Sequence, residues 1–187
     1  MKKIKHIGSI TLIKNAFPKE WKDEYMELLK YPNDDWIRYP LDQEKFNTLF
    51  EGPKISNTTL GKRWRDYAFN KWKDEFGITD TMTENYEDID GIYWGDFILE
   101  FKEGHYLIKH KDIWNSKEFR FNVLLNKPSQ GGVYSFNGKR FEMDEGDMVV
   151  FAPFHQVHET DKVVGDEPRV ILSLSFTQGT EPASSLL

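Results

Sequence analysis

From Phe97 to Phe176 the chain is a succession of short apolar runs separated by turn residues, and this spacing constrains the fold more than any other feature. Phe97 to Phe101 reads as a strand, Lys102-Glu103-Gly104 as a turn, and His105 to Asp112 as extended chain. Ile113 to Glu118 reads as a loop, then Phe119 to Leu125 as a strand stopped by Asn126-Lys127-Pro128. Val133 to Phe136 and Lys139 to Met143 flank Asn137-Gly138, a dipeptide that tolerates positive φ and so suits a two-residue hairpin loop. Asp144-Glu145-Gly146-Asp147 turns the chain into Met148 to Phe151, and Pro168 to Phe176 makes the last strand before a frayed tail from Thr177. Strands this short and regular predict a sandwich or barrel.

The first half carries helical periodicity. Ile4 to Ile13 opens as a strand, and Pro18 suits the first turn of a helix. Trp21, Tyr25, Leu28 and Leu29 then share one face until Pro32-Asn33. Asp42 is placed to cap a short second helix bearing Phe46, Leu49 and Phe50. Leu60, Trp64, Ala68, Trp72 and Phe76, each four apart, form the clearest helical stripe, and Gly77 is placed to end it. Such a stripe predicts a helix packed on a sheet. The reading is one domain over 1–187: mainly helical support with a first strand over 1–96, a β core over 97–176, and a tail over 177–187.

Composition narrows the chemistry. Hydrophobic residues at 39% and aromatics at 15% supply a packed interior rather than disorder. Cysteine is absent, which excludes disulfides, thiolate zinc and a cysteine nucleophile, so any metal must be held by His, Asp and Glu. A net charge of −6 gives no general attraction for nucleic acid or anionic lipid, and Lys62, Arg63 and Arg65 read as a solvated helix face. No run approaches the roughly 18 apolar residues of a membrane span. The apolar stretch after Met1 is too short and interrupted for a secretion signal, so the expectation is a cytoplasmic protein.

His110-Lys111-Asp112 then acquires meaning. In extended chain, residues two apart share a face, so His110 and Asp112 point together into the barrel while Lys111 points away. One more imidazole completes two histidines and a carboxylate on one side of an ion, the facial arrangement of non-heme Fe(II) oxygenases. His158 and its rival His155 are the candidates for that role. The open positions suit a chelating 2-oxo acid and dioxygen. Arg169 offers a planar fork to the far carboxylate of such a cosubstrate. Ser173, four residues on, adds a hydroxyl on the same face, with Ile171 between them as an apolar wall. Tyr106, Trp114, Tyr134 and His155 are candidate substrate contacts.

The segment from Phe101 to Asp112 resembles the aromatic-x-x-Gly…His-x-Asp stretch of Fe(II)/2-oxoglutarate-dependent oxygenases, and the prolyl-4-hydroxylase-like branch matches best. Arg120, Leu124-Leu125-Asn126 and Gly131-Gly132 are similar to that branch's Arg…Tyr-Leu-Asn…Gly-Gly strand and turn. Gly146 to Phe151 resembles its Gly-x-hydrophobic-x-Phe strand, His158-Glu159-Thr160 its distal His-Glu-Val, and Arg169 with Ser173 its oxoglutarate-binding pair. The interval from Asp112 to His158 is shorter than in many members, which implies trimmed loops. Phe101 and Leu124 stand where relatives carry tyrosines whose phenols bind oxoglutarate; Asn122, on the same inward face as Leu124, is placed to supply a substitute hydrogen bond.

The resemblance implies a double-stranded β-helix, a jelly-roll or cupin-like barrel. It further implies iron held by His110, Asp112 and His158, with 2-oxoglutarate on Arg169, Ser173 and Asn122. Dioxygen would hydroxylate an unactivated C–H bond, with release of succinate and carbon dioxide. A peptidyl substrate, most simply proline, is favoured; a nucleobase or small metabolite is the enzymatic alternative. A non-catalytic cupin-like module that binds metal or ligand is the alternative of a different class.

Overall fold

The computed structural model describes residues 4–7, 10–29, 36–39, 50–53, 59–81, 86–87, 93–94, 96–112 and 118–178. Its N-terminal part contains β1 (Ile4–Ile7), β2 (Ile10–Ile13), α1 (Glu20–Leu29), β3 (Trp36–Tyr39), β4 (Phe50–Pro53) and α2 (Thr59–Phe76). The short strands β5 (Ile78–Thr81), β6 (Tyr86–Glu87) and β7 (Tyr93–Trp94) follow, then β8 (Phe97–Phe101) and β9 (Glu118–Asn126). The chain continues through β10 (Tyr134–Phe136), β11 (Lys139–Phe141), β12 (Met148–Phe151), β13 (His158–Thr160) and β14 (Arg169–Gln178).

Among the described residues, nine strands form one sheet in the order β1-β2-β12-β9-β14-β8-β4-β3, with β5 pairing the far end of β14. A second sheet, β11-β10-β13, covers part of it. All the pairings are antiparallel. The protein is therefore mainly β, with helices on one side.

Strand alternation builds two cores from one sheet. On β9 and β14, Phe121, Val123, Leu125, Val170, Leu172, Leu174 and Phe176 face the helices and meet Trp64, Ala68, Trp72 and Phe76 of α2. The alternate residues Leu124 and Ile171 face the second sheet, with Phe101, Val149, Phe151, Tyr134, Phe136 and Phe141. The period of two thus sends one set of side chains to each layer. The four-residue stripe expected on α2 lies in the first core, and the helix ends at Phe76, before Gly77. Between β10 and β11, Asn137 and Gly138 both take positive φ, 49° and 78°, the conformation of a two-residue type I′ hairpin.

Several local expectations need correction. Ile4 to Ile13 is a hairpin, β1 paired with β2 from Ile4↔Ile13 to Ile7↔Ile10, rather than one strand. Gly8-Ser9, a turn-type dipeptide, separates the two in sequence. Phe50 opens β4 instead of closing a helix, because β4 pairs with β3 and β8, contacts that local periodicity does not encode. Among the described residues, the first 96 include seven strands as well as two helices, where mainly helical support was expected. Thr177 remains in β14, held by pairing with Asp80 of β5. Pro32, Asn33, Asp42, Phe46, Leu49, Trp114 and residues 179–187 lie outside the described residues.

Candidate metal centre and anion pocket

His158 reaches the interior through register. In β13 it pairs with Phe136 of β10, and both residues face inward, while Glu159 points out. His110 is delivered differently from the expectation. Residues 105–112 form no continuous strand, only an isolated antiparallel bridge between His110 and His158. Other groups hold the stretch: the Gly104 N–H donates to the Val163 carbonyl, the Leu107 N–H to the Thr160 hydroxyl and the Asp112 N–H to the Pro153 carbonyl. Irregular pairing still leaves His110 and Asp112 on one side.

His110, Asp112 and His158 place one ligand atom each within 4.8 Å of one another. The His110 and His158 Nε2 atoms lie 3.3 and 3.8 Å from Asp112 Oδ1. Neighbouring ligand atoms on an ion bound at ~2.1 Å stand about 3 Å apart, so the three fit one ion with small adjustment. Both Nδ1 atoms are occupied, His110 Nδ1 at 2.7 Å from the Ile108 carbonyl and His158 Nδ1 at 3.0 Å from the Gln156 carbonyl. A carbonyl can only accept, so each Nδ1 carries the proton and each Nε2 presents its lone pair, the tautomer a metal needs.

Electrostatics reinforce that state at His158 and oppose it at His110. Burial pushes the His158 pKa down to about 4, helped by the neighbouring His110 and opposed by Asp112. For Asp112, burial raises the pKa, yet hydrogen bonding to His110 and the charges of His158, Arg120 and His110 leave it below the ordinary carboxylate value. For His110, burial lowers the pKa, while hydrogen bonds to Asp112 and Ile108 outweigh it and leave a net rise. The His110 and Asp112 side chains keep 30% and 22% of their surface exposed against 6% for His158, so the cluster opens to solvent on their side.

Of the two histidines weighed at the distal position, His158 joins the cluster, while His155 is exposed with its ring against Phe154. Tyr106 lies beneath the Lys162 ammonium, 5.4 Å from its ring centroid. Deeper inside, Arg169 is 1% exposed, with its guanidinium carbon 4.2 Å from the Tyr134 ring centroid and 5.2 Å from that of Phe101. No carboxylate among the described residues pairs with Arg169, and its Nη1 has no hydrogen-bond partner. Gly132 makes room for it: a Cβ there would sit 2.7 Å from Arg169 Cδ. Ser173 and Asn122 are buried opposite each other on β14 and β9, and the Asn122 amide donates to the Tyr134 hydroxyl at 2.9 Å.

Sequence reasoning missed the buried polar chain that joins this interior to α2. Arg65 of α2 binds Asp96 at 2.7 Å, Asp96 accepts from the Ser175 N–H, and the Ser175 hydroxyl donates to Glu118. Glu118 in turn pairs with Arg120 at 2.5 Å, and Arg120 Nη1 reaches Ser173 Oγ at 3.5 Å. The available cue was Glu118 and Arg120 two apart in a strand, hence on one face.

Neither a protein-family model nor a curated protein sequence matches the chain. Solved structures do. A prolyl-4-hydroxylase of Pseudomonas putida superimposes with TM-score 0.65 at 13% identity, over 92% of this chain and 94% of that one. The chain has the fold of the 2-oxoglutarate-dependent oxygenases. HygX of Streptomyces hygroscopicus, solved with nickel and 2-oxoglutarate, gives 0.65 at 9% identity over 94% and 85%. The non-heme α-ketoglutarate-dependent epimerase SnoN, from nogalamycin biosynthesis, gives 0.68 at 11% identity over 91% and 79%. At such identities the likeness carries the oxygenase fold, and the chemistry rests on the residues. Among the described residues, no helix is long and apolar enough to cross a membrane.

Proposed function

We propose that this protein is an Fe(II)- and 2-oxoglutarate-dependent oxygenase whose two sheets make a double-stranded β-helix. The observation that carries the reading is the convergence of His110, Asp112 and His158, with both Nε2 lone pairs free, in a fold whose interior also buries a guanidinium, Arg169, that no carboxylate among the described residues neutralises. An isolated buried charge costs several kcal/mol, so Arg169 fits a pocket meant for an anion. His110, Asp112 and His158 would hold the iron; Arg169 and Ser173 would take the far carboxylate of 2-oxoglutarate. Iron and cosubstrate, when bound, supply oxidation of a C–H bond by dioxygen, with release of succinate and carbon dioxide.

The chain's own residues do the rest. Asp112 provides the anionic ligand, and its depressed pKa keeps it ionised at neutral pH. Phe101, Leu124 and Ile171 line the interior with apolar surface that excludes water. The exposed side of His110 and Asp112 is where a substrate C–H would approach, close to the loop carrying His155.

A peptidyl, most simply prolyl, substrate is the first reading, supported by the likeness to the Pseudomonas putida prolyl-4-hydroxylase. A small-molecule substrate is the second, favoured by HygX having been solved with hygromycin B. The test is succinate formation from 2-oxoglutarate under air. Slow turnover is expected without substrate, with stimulation by proline-containing peptides on the first reading. Stimulation by small hydroxylated metabolites alone selects the second, and no succinate from iron-loaded protein rejects both.

A further inference from the structure

Phe101 and Leu124 bring no hydrogen-bond donor to the interior, although both are buried beside Arg169 or the strand that carries it. A phenol arrives from the opposite sheet instead. Tyr134 of β10 is 2% exposed, stacks on the Arg169 guanidinium and meets the Asn122 amide of β9 through its hydroxyl. Tyr134 and Asn122 together own one O–H and two N–H hydrogens. Their mutual bond uses one, and neither side chain has another hydrogen-bond partner among the described residues, Asn122 Oδ1 included. Rotating the amide by a half turn lets Tyr134 donate to Asn122, and two N–H hydrogens are then unspent. Either orientation leaves two buried donors beside a guanidinium whose Nη1 has no partner among the described residues, and each such donor costs about 1–3 kcal/mol unless an acceptor meets it.

We infer that the Tyr134 hydroxyl and Asn122 amide form a second anchor, completing with Arg169 the pocket for the cosubstrate's far carboxylate. The inference rests on the 2-oxoglutarate reading and adds to it a specific pair, reached from two different sheets. Arg169 supplies charge and a bidentate fork; Tyr134 supplies a donor from the side and, through its ring, fixes the plane of the guanidinium. The chain thereby restores from β10 the phenol that its β8 and β9 positions lack.

The test uses the full chain loaded with manganese, which holds the cosubstrate without turnover, and calorimetric titration of two ligands. 2-Oxoglutarate carries the far carboxylate; 2-oxobutyrate has the same chelating end without it. Tyr134→Phe removes a single hydroxyl and is expected to weaken 2-oxoglutarate by about 10-fold, as befits one hydrogen bond to a charged group, while leaving 2-oxobutyrate unchanged. Asn122→Asp keeps the side-chain shape but turns a donor into an anion, and is expected to weaken 2-oxoglutarate on the order of 100-fold with a far smaller effect on 2-oxobutyrate. Equal loss for both ligands in the two variants indicates a purely structural pair and overturns the inference. So does 2-oxoglutarate affinity within about twofold of the unaltered protein in Tyr134→Phe. An unaltered protein that binds manganese but not 2-oxoglutarate overturns the proposed function itself, and this inference with it.

Discussion

His110 and His158 face each other across an antiparallel bridge: the His110 N–H donates to the His158 carbonyl at 3.0 Å and the return bond is 2.8 Å. Their ring centroids lie 4.2 Å apart. The backbone therefore sets the separation of the two imidazoles, and a side chain can be removed without undoing the bridge. His158→Ala should retain the far-ultraviolet circular dichroism of the parent while losing manganese affinity by on the order of 100-fold or more, since even outer-shell partners of a ligand are worth 10–100-fold. Parent-like affinity would remove His158 from the site.

Metal affinity should fall on acidification with a stoichiometry that reflects the unequal histidines. Burial holds His158 at about 4, so it is already neutral at mildly acidic pH. His110, raised on balance by Asp112 and Ile108 against the opposing effect of burial, is the imidazole that binds a competing proton first. Below about pH 6.5, the ordinary imidazole value from which His110 is raised, log affinity should fall with a slope that approaches one per pH unit, one proton displaced per ion. A slope near two would mean that both imidazoles titrate together.

Gly132→Ala tests the seating of Arg169. The added methyl would meet Arg169 Cδ at 2.7 Å and Pro128 and Val163 at 3.2 Å, on a residue with φ of +64°. The guanidinium must shift from its place over Tyr134, so 2-oxoglutarate affinity should fall at least ~10-fold while manganese affinity stays within about twofold. Equal loss of both would show that the glycine supports the whole barrel.

The strands read at Phe119 to Leu125, Val133 to Phe136, Met148 to Phe151 and Pro168 to Phe176 were legible because their runs are apolar and their breaks are Asn, Gly, Asp or Pro, and Asn137-Gly138 specifies its own turn, whereas β13 (His158–Thr160) carries no apolar run. The α2 stripe was legible for the same reason, a clean period. His110, Asp112, His158 and Arg169 were singled out through spacing; the structure brings ligand atoms of the first three within 4.8 Å of one another and buries the fourth. The β3–β4 and β5–β14 pairings were invisible, since four-residue strands carry little local pattern and are fixed by distant partners. The extended ladder expected over 105–112 failed because Thr160 Oγ1 and the Pro153 carbonyl replace regular strand partners. The Arg65–Asp96 pair escaped notice because residues 31 apart in sequence meet only after α2 docks.

Phe121 lies where α2 docks on the sheet. It is fully buried, with its ring 5.5 Å from Phe76 of α2 and 4.7 Å from Phe176 of β14. Phe121→Ala should lower unfolding free energy by about 3–5 kcal/mol, read from the urea midpoint, because a core aromatic leaves a cavity that rigid strands cannot close. A loss below about 1 kcal/mol would mean that the helix–sheet interface repacks freely.

The most direct test of the account is anaerobic addition of Fe(II) and 2-oxoglutarate to the purified protein, followed by visible absorption spectroscopy. A weak metal-to-ligand charge-transfer band should appear, saturate at about one equivalent of each, and be absent in Asp112→Ala. Unaltered protein that gives no such band, or an Asp112→Ala variant that keeps it, would contradict the assignment of this interior as an iron and 2-oxoglutarate site.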